Sequence, residues 1–360
     1  MAQTGMRDHN KIKKIKKIKK IVPGTVLRRQ PPRNLEDVDE WMFVREYRRE
    51  LPSVGIRILS PAYIRKKSLY GGLFRRAQGL VTHPWGVGAA DAYRWPVSLE
   101  LCQRQESVPF EKAVLVTDNW SANYFHWMVD SLQRVLVAQM AGINWPIMLP
   151  EYFAGQAFVR ESLDFLGLSY EICADDQLQR VKTLATITSA GPSGNPHPIL
   201  VGTLSKMLRA ANGMPCKPEA HHAAKRLWVS RKNSGKRRIS NEEVLLPLLN
   251  EHGFESVYSE DLSFVDQMEL FSQASVIVGM HGAGLTNMLV AKPGATILEI
   301  RRRDDDSNNC YFALASAIGH EYWYLQADTL DSTNPDSDVS VRPDELDLML
   351  TRVLNSGRNR

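Results

Sequence analysis

The chain has 360 residues and a mass of 40.7 kDa, too long for one ordinary core and suited to two domains. Hydrophobic residues make up 43% and charged residues 24%, a globular balance that excludes wholesale disorder and collagen-like or Pro-rich chains. The net charge of +5, less the +7 carried by residues 1–20, leaves the other 340 residues at −2, so the basicity is a tail and not a nucleic-acid-binding body.

That tail is the tract KIKKIKKIKK, Lys11 to Lys20, with isoleucine at every third position. At 100° per residue this spacing smears the apolar stripe around a helix, and the like-charge block reads as a solvated extension. The alternative is peripheral contact with anionic lipid, at about 1 kcal/mol per basic residue near the surface. Nothing else in the chain supports a nucleic-acid partner.

The uncharged apolar stretch Val135 to Pro150 is shorter than the roughly 20 apolar residues of a membrane span. No apolar signal-peptide core stands near residue 1, and Cys102, Cys173, Cys216 and Cys310 form no close pair. These features predict a cytoplasmic protein without disulfides or structural zinc.

In chain order, a short helix is expected over Trp41–Glu50, and short strands over Gly55–Ile64 and Gly79–Val87. The run KAVLVT (Lys112–Thr117) reads as a buried strand, followed by a long helix over Ala122–Met140. A strand (Pro146–Leu149), a helix (Gln156–Leu166) and a strand (Val181–Thr188) follow, then a Gly/Pro loop over Gly191–Pro198. The two prolines of Met214–Glu219 mark a linker.

Beyond it the alternation is regular. Strands are expected at Arg226–Ser230, Ser256–Tyr258, Ser275–Gly279, Ala295–Ile300 and Tyr322–Leu325. Helices are expected at Asn241–His252, Phe264–Gln273, Gly284–Leu289, Asn309–Ile318 and Pro343–Leu354. Ser240 and Glu243 have capping-box spacing, and Lys292-Pro293-Gly294 is a turn. The pattern predicts an α/β protein with parallel sheets. Its expected divisions are 1–50 (tail and extension), 51–215 (first α/β domain), 216–330 (second α/β domain) and 331–360 (final loop and helix).

Four constellations carry chemistry. In VIVGMHGAGLTN, Val276 to Asn287, a buried strand runs into a Gly-rich turn and then a helix. This is where an open α/β sheet binds ligands, with glycines allowing close backbone approach and a helix start offering free amides. His281 beside it can donate to a phosphate oxygen.

In NYFHWMVD, Asn123 to Asp130, His126 and Asp130 share a helix face with Arg134 one turn on. A carboxylate behind an imidazole suits a general base. The basic loop after Trp228, with Arg231 and Lys232, suits a diphosphate. The run Asp304 to Asp306 follows three arginines and reads as a solvated loop, with a metal-binding DxD as the alternative.

Together, NYFHWMVDSLQRV and the stretch from WVSRK through VIVGMHGAGLTNMLVAKPGATILEI resemble the glycosyltransferase family 61 group. That group includes bacterial capsular polysaccharide proteins, plant pentosyltransferases and animal O-linked N-acetylglucosaminyltransferases. The match is dense over Arg226–Ile300, recurs at Asn123–Val135 and is faint before residue 110.

The resemblance implies a GT-B fold, two Rossmann-like domains facing across a cleft, and an inverting transferase needing no metal or other cofactor. It implies a nucleotide sugar held by Arg231, Lys232, His281, Gly282, Ala283, Gly284 and Asn287, with Glu299 on the ribose or structural in mid-strand. The base is His126 or Asp130. The acceptor is a glycan or lipid-linked glycan, in capsular or surface polysaccharide synthesis, on the inner face of the membrane. A protein acceptor, or a non-catalytic glycan- or membrane-binding protein on this scaffold, is the alternative.

Overall fold

The structure is a computed structural model that describes residues 18–60, 62–65, 68–71, 110–175, 177, 179–192, 194–213, 224–303 and 305–356. Most of the Lys/Ile tract, the expected strand Gly79–Val87, the linker Met214–Glu219, Cys102, Cys216 and Asp304 lie outside the described residues.

Strands β2 (Thr25–Arg28) and β3 (Arg48–Leu51) form a separate antiparallel pair, and the first sheet begins with strands β1 (Lys19–Val22), β4 (Val54–Leu59), β5 (Ala62–Arg65) and β6 (Ser68–Gly71). Its centre is β7 (Phe110–Leu115), β8 (Ile147–Pro150), β9 (Tyr170–Cys173) and β10 (Gln179–Ile187). The order is β1-β4-β10-β7-β8-β9, with β10, β7, β8 and β9 parallel and β4 and β1 added antiparallel. The chain reverses direction of winding between β7 and β10, so their carboxyl ends flank a crevice.

The second sheet holds β11 (Lys225–Val229), β12 (Glu255–Val257), β13 (Ala274–Met280), β14 (Thr296–Arg302), β15 (Glu321–Thr329) and β16 (Val339–Ser340). Its order β12-β11-β13-β14-β15-β16 is parallel through β15. The winding reverses between β11 and β13, which puts a second crevice at Val229 and Met280.

Helices account for the burial of both faces. Along β13, Val276, Val278 and Met280 face a core with Leu245 and Leu249 of α7 (Glu242–Glu251) and Leu346 and Leu350 of α10 (Pro343–Ser356). Ile277 faces the opposite way, toward α8 (Phe264–Ser272) and α9 (Cys310–Ile318).

That second core does not stop at the domain boundary. It runs from Val114, Leu132 and Ala185 through Leu204 and Leu208 of α6 (Pro198–Ala211) to Ile277, Leu289 and Tyr311. Helix α6 also gives Ser205 to the Leu289 carbonyl at 2.6 Å and Arg209 to the Val290 and Ala291 carbonyls at 2.7 and 2.8 Å. A large apolar interface of this kind opposes hinge motion.

Several local expectations differ. Lys19 to Val22 is not solvated tail but an edge strand against β4, because Val22 is buried there. Helix α1 (Glu40–Tyr47) ends before Glu50, since Arg48 to Leu51 pairs with β2. The capping box does not form. Asn241 is the N-cap of α7, Ser240 donates to the Val339 carbonyl, and Glu243 meets Lys232 instead. Helix α6, with Pro at its first turn, was absent from the sequence reading.

Candidate functional site

The two crevices face one another across a cavity of about 940 Å³. This is near the upper end of the roughly 300–1,000 Å³ usual for small-ligand sites. One wall is Asn123, Phe125 and His126, after β7, with Pro192, Gly194 and Asn195, after β10. The other wall follows β11 to β14, with Arg231, Glu260, His281 and Asn309 among its residues.

On the first wall, Asn123 is extended and caps the helix, accepting from the Phe125 and His126 amides at 3.0 and 3.5 Å. The helix continues from Tyr124 through a π-helical turn, Trp127–Ser131, into α3, Leu132–Met140. Such turns recur at functional sites, and this one carries Asp130. His126 Nδ1 lies 2.8 Å from Asp130 Oδ2, both partly exposed. With Nδ1–H given to the carboxylate, Nε2 becomes the basic nitrogen.

Arg134 does not join this pair. It donates to the Val116 carbonyl at 2.6 Å and binds Asp118. Burial alone would raise the Asp118 carboxyl, but Arg134 and the Trp120 amide hold it below the usual range. The carboxylate thereby fixes the loop that carries Trp120, whose ring centre is 5.5 Å from that of His126.

On the second wall, Arg231 donates from Nε to the Arg237 carbonyl at 2.9 Å. Its Nη2 donates to Ser234 Oγ and the Lys236 carbonyl, both at 2.8 Å. No carboxylate among the described residues pairs with it, and Nη1 lies over Gly282. Burial, with Arg237 adding repulsion, lowers the guanidinium from its ordinary value. A half-buried cation whose hydrogen bonds go to neutral groups keeps its charge for a ligand.

His281 takes its place through a buried relay. Its Nδ1 is hydrogen-bonded to Glu299 Oε1, and Tyr322 donates its hydroxyl to the other carboxylate oxygen. Arg301 lies 4.0 Å from that oxygen and donates to Asn309 Oδ1 at 2.7 Å. Glu299 is 0% exposed and does not reach the cavity, so the ribose assignment is corrected: it positions His281 from beneath.

Three other expected donor residues also stand off the wall. Lys232 is exposed and paired with Glu243 at 3.1 Å. Asn287 is buried, accepting the Tyr124 hydroxyl at 2.5 Å and donating to Gln267 at 2.8 Å, so it ties the two domains together. Gly284 packs inward, where a Cβ would come within 2.7 Å of Val229 Cγ1. Gly282 and Ala283 do line the cavity, at the start of the 3₁₀ segment Ala283–Val290. Of the acidic run, Asp305 caps its own turn through Ser307, and Asp306 faces Arg45 at 3.6 Å.

The N-terminal extension contributes residues that sequence reasoning missed. Glu46 and Arg49 line the cavity, with Glu46 held by Arg29 at 3.3 Å and by Arg49. Arg29 also donates to Asn195 Oδ1 at 2.8 Å. Phe43 packs on Phe312, Tyr322 and Tyr324, and Arg301 stacks 5.0 Å above its ring.

Fold and site define an α/β protein with a cavity between the reversal points of two parallel-centred sheets. Residues 124–298 match the family model described as Glycosyltransferase 61. Among curated relatives, the chain is 32% identical over 97 residues to "EGF domain-specific O-linked N-acetylglucosamine transferase" of Drosophila melanogaster. It is 29% identical over 102 residues to the mouse protein of that name. It is 37% identical over 94 residues to "Protein O-linked-mannose beta-1,4-N-acetylglucosaminyltransferase 2" of Mus musculus. These stretches cover 26%, 27% and 25% of this chain, and 18%, 19% and 16% of those relatives.

Proposed function

We propose that the chain is an inverting, metal-independent glycosyltransferase of GT-B architecture, moving a sugar from a nucleotide sugar to an acceptor hydroxyl. The observation that carries the reading is the juxtaposition in one cavity of His126, which Asp130 backs, with Arg231, His281 and the Gly282–Ala283 turn.

In this reading His126 removes the acceptor proton, and Asp130 orients the ring and stabilises the imidazolium that forms. The acceptor oxygen attacks the anomeric carbon, and the nucleoside diphosphate leaves from the opposite face. Charge growing on the leaving phosphate meets Arg231, His281 and the amides of Gly282 and Ala283, which are fixed before the reaction begins. The continuous core between the sheets supplies that pre-organisation.

The relatives' names point to N-acetylglucosamine as the sugar and to a protein hydroxyl as one acceptor class. A glycan or lipid-linked acceptor is the other. Incubation with UDP-N-acetylglucosamine and other nucleotide sugars, with protein and glycan acceptors offered in parallel, tests the reading. Transfer that persists in EDTA supports it. Turnover abolished by EDTA and restored by manganese overturns metal independence, and failure of every donor to bind overturns the transferase reading.

A further inference from the structure

The burial of Glu299 leaves the cavity without the carboxylate first expected at the ribose. Two carboxylates line it instead, Glu46 and Glu260. Glu46 is taken by Arg29 and Arg49. The Glu260 carboxylate has no ion-pair or hydrogen-bond partner among the described residues, although it lies near enough to Arg231 to favour the guanidinium charge.

Its place in the topology is specific. Glu260 sits in a 3₁₀ turn, Ser259–Asp261, just past the carboxyl end of β12, and β12 pairs with β11, one of the two strands at the reversal point. In doubly wound sheets the diphosphate lies at the reversal point, and an acidic residue at the end of the adjoining strand takes the ribose hydroxyls. The turn is also held from outside. Gln267 donates to the Ser259 and Leu262 carbonyls at 2.9 and 3.2 Å, and Asn233 reaches Asp261 at 3.3 Å. Gln267 in turn accepts from Asn287, which accepts from Tyr124.

We infer that Glu260 is the ribose-binding residue of this chain. It accepts hydrogen bonds from the vicinal hydroxyls of a nucleoside diphosphate whose phosphates lie on Arg231 and Gly282. The inference rests on the transferase reading and adds to it the residue that selects ribonucleotides.

Calorimetry with UDP and GDP, their 2′-deoxy and 3′-deoxy forms, and inorganic pyrophosphate separates the two ideas. The intact chain should bind a ribonucleotide about 10-fold or more tighter than its deoxy forms, as expected for loss of a hydrogen bond to a charged group. In Glu260→Ala that ratio should collapse to near one, while pyrophosphate affinity stays within about 2-fold. Asp261→Asn, next door and bonded to Asn233, should keep the ratio. Equal binding of ribo and deoxy forms by the intact chain, or a ratio that survives in Glu260→Ala, overturns the assignment while leaving the transferase reading standing. Absence of binding by every diphosphate and by pyrophosphate overturns both.

Discussion

Replacing Gly282 by alanine should weaken diphosphate binding through Arg231. Gly282 has φ 177°, extended backbone that any residue adopts, so conformational freedom does not explain the glycine. Space does: a Cβ there would lie 1.9 Å from Arg231 Nη1 and 2.8 Å from Cζ. The guanidinium must leave its position, giving up bonds to Ser234 and to the Arg237 and Lys236 carbonyls along with its contact to the ligand. A charge-assisted hydrogen bond contributes about 1.5–3 kcal/mol, so the dissociation constant should rise roughly 10- to 150-fold. Arg231→Ala should lose a similar amount. Because both substitutions remove the same contact, the double variant should be no worse than either single one, with a coupling energy near the full 1.5–3 kcal/mol. Titration calorimetry with UDP or GDP on all four proteins measures the cycle. Additive losses, or wild-type affinity in Gly282→Ala, would refute the argument that this glycine exists to seat Arg231.

Gly284→Val should act differently, lowering thermal stability by about 1–3 kcal/mol because its Cβ meets Val229 Cγ1 at 2.7 Å. Differential scanning calorimetry showing an unchanged midpoint would contradict that packing. His126→Ala should cut turnover by roughly 10²–10⁴ with donor affinity retained, and Asp130→Asn should cut it less. Steady-state kinetics giving the reverse ranking would make Asp130 the base. His320 donates from Nε2 to the Met288 carbonyl at 2.9 Å, and its buried Nδ1 has no hydrogen-bond partner among the described residues. Burial lowers its pKa to about 4, so the unfolded chain binds the extra proton first as pH falls below about 6.5. The stability it contributes is present above pH 6.5 and is lost toward pH 4, by about 3 kcal/mol, and urea melts of His320→Asn should show a flatter slope across that window.

The second sheet was legible because its central strands carry short apolar runs closed by turn signals, as in SVIVGM before His281 and, interrupted by Glu299 alone, TILEI before Arg301. The same logic picked out His126, Arg231 and His281, which line the cavity, and Asp130 beside His126, since carboxyl ends of strands are where side chains become available. What it missed was non-local. Strand β2 is short, alternating and partly exposed, and exists because residues 48–51 return to pair with it. Helix α6 carries Leu200, Val201, Leu204 and Leu208 on one face, a readable 3.6-residue period that the Gly/Pro loop before it overshadowed. The π-helical turn leaves no signal in composition. For Glu299 the sequence leaves the ribose and mid-strand structural roles both open, because period alone cannot say whether a charged strand residue faces a cavity or three buried partners.

Those partners explain why a charged side chain is buried at the centre of β14. An isolated buried carboxylate would be costly, but Glu299 shares its two oxygens between His281 and Tyr322 and lies beside Arg301. Arg301 reaches Asn309, Asn309 donates to the Met42 carbonyl at 2.8 Å, and Phe43 stacks under Arg301. The extension that carries Met42 and Phe43 also carries Glu46 and Arg49 to the cavity wall. One network therefore sets His281 on the cavity wall and anchors the segment that brings Glu46 and Arg49 to the same cavity. With the apolar core joining the sheets through α6, both walls are held without substrate, and substrate ordering becomes a matter of filling a shape already made.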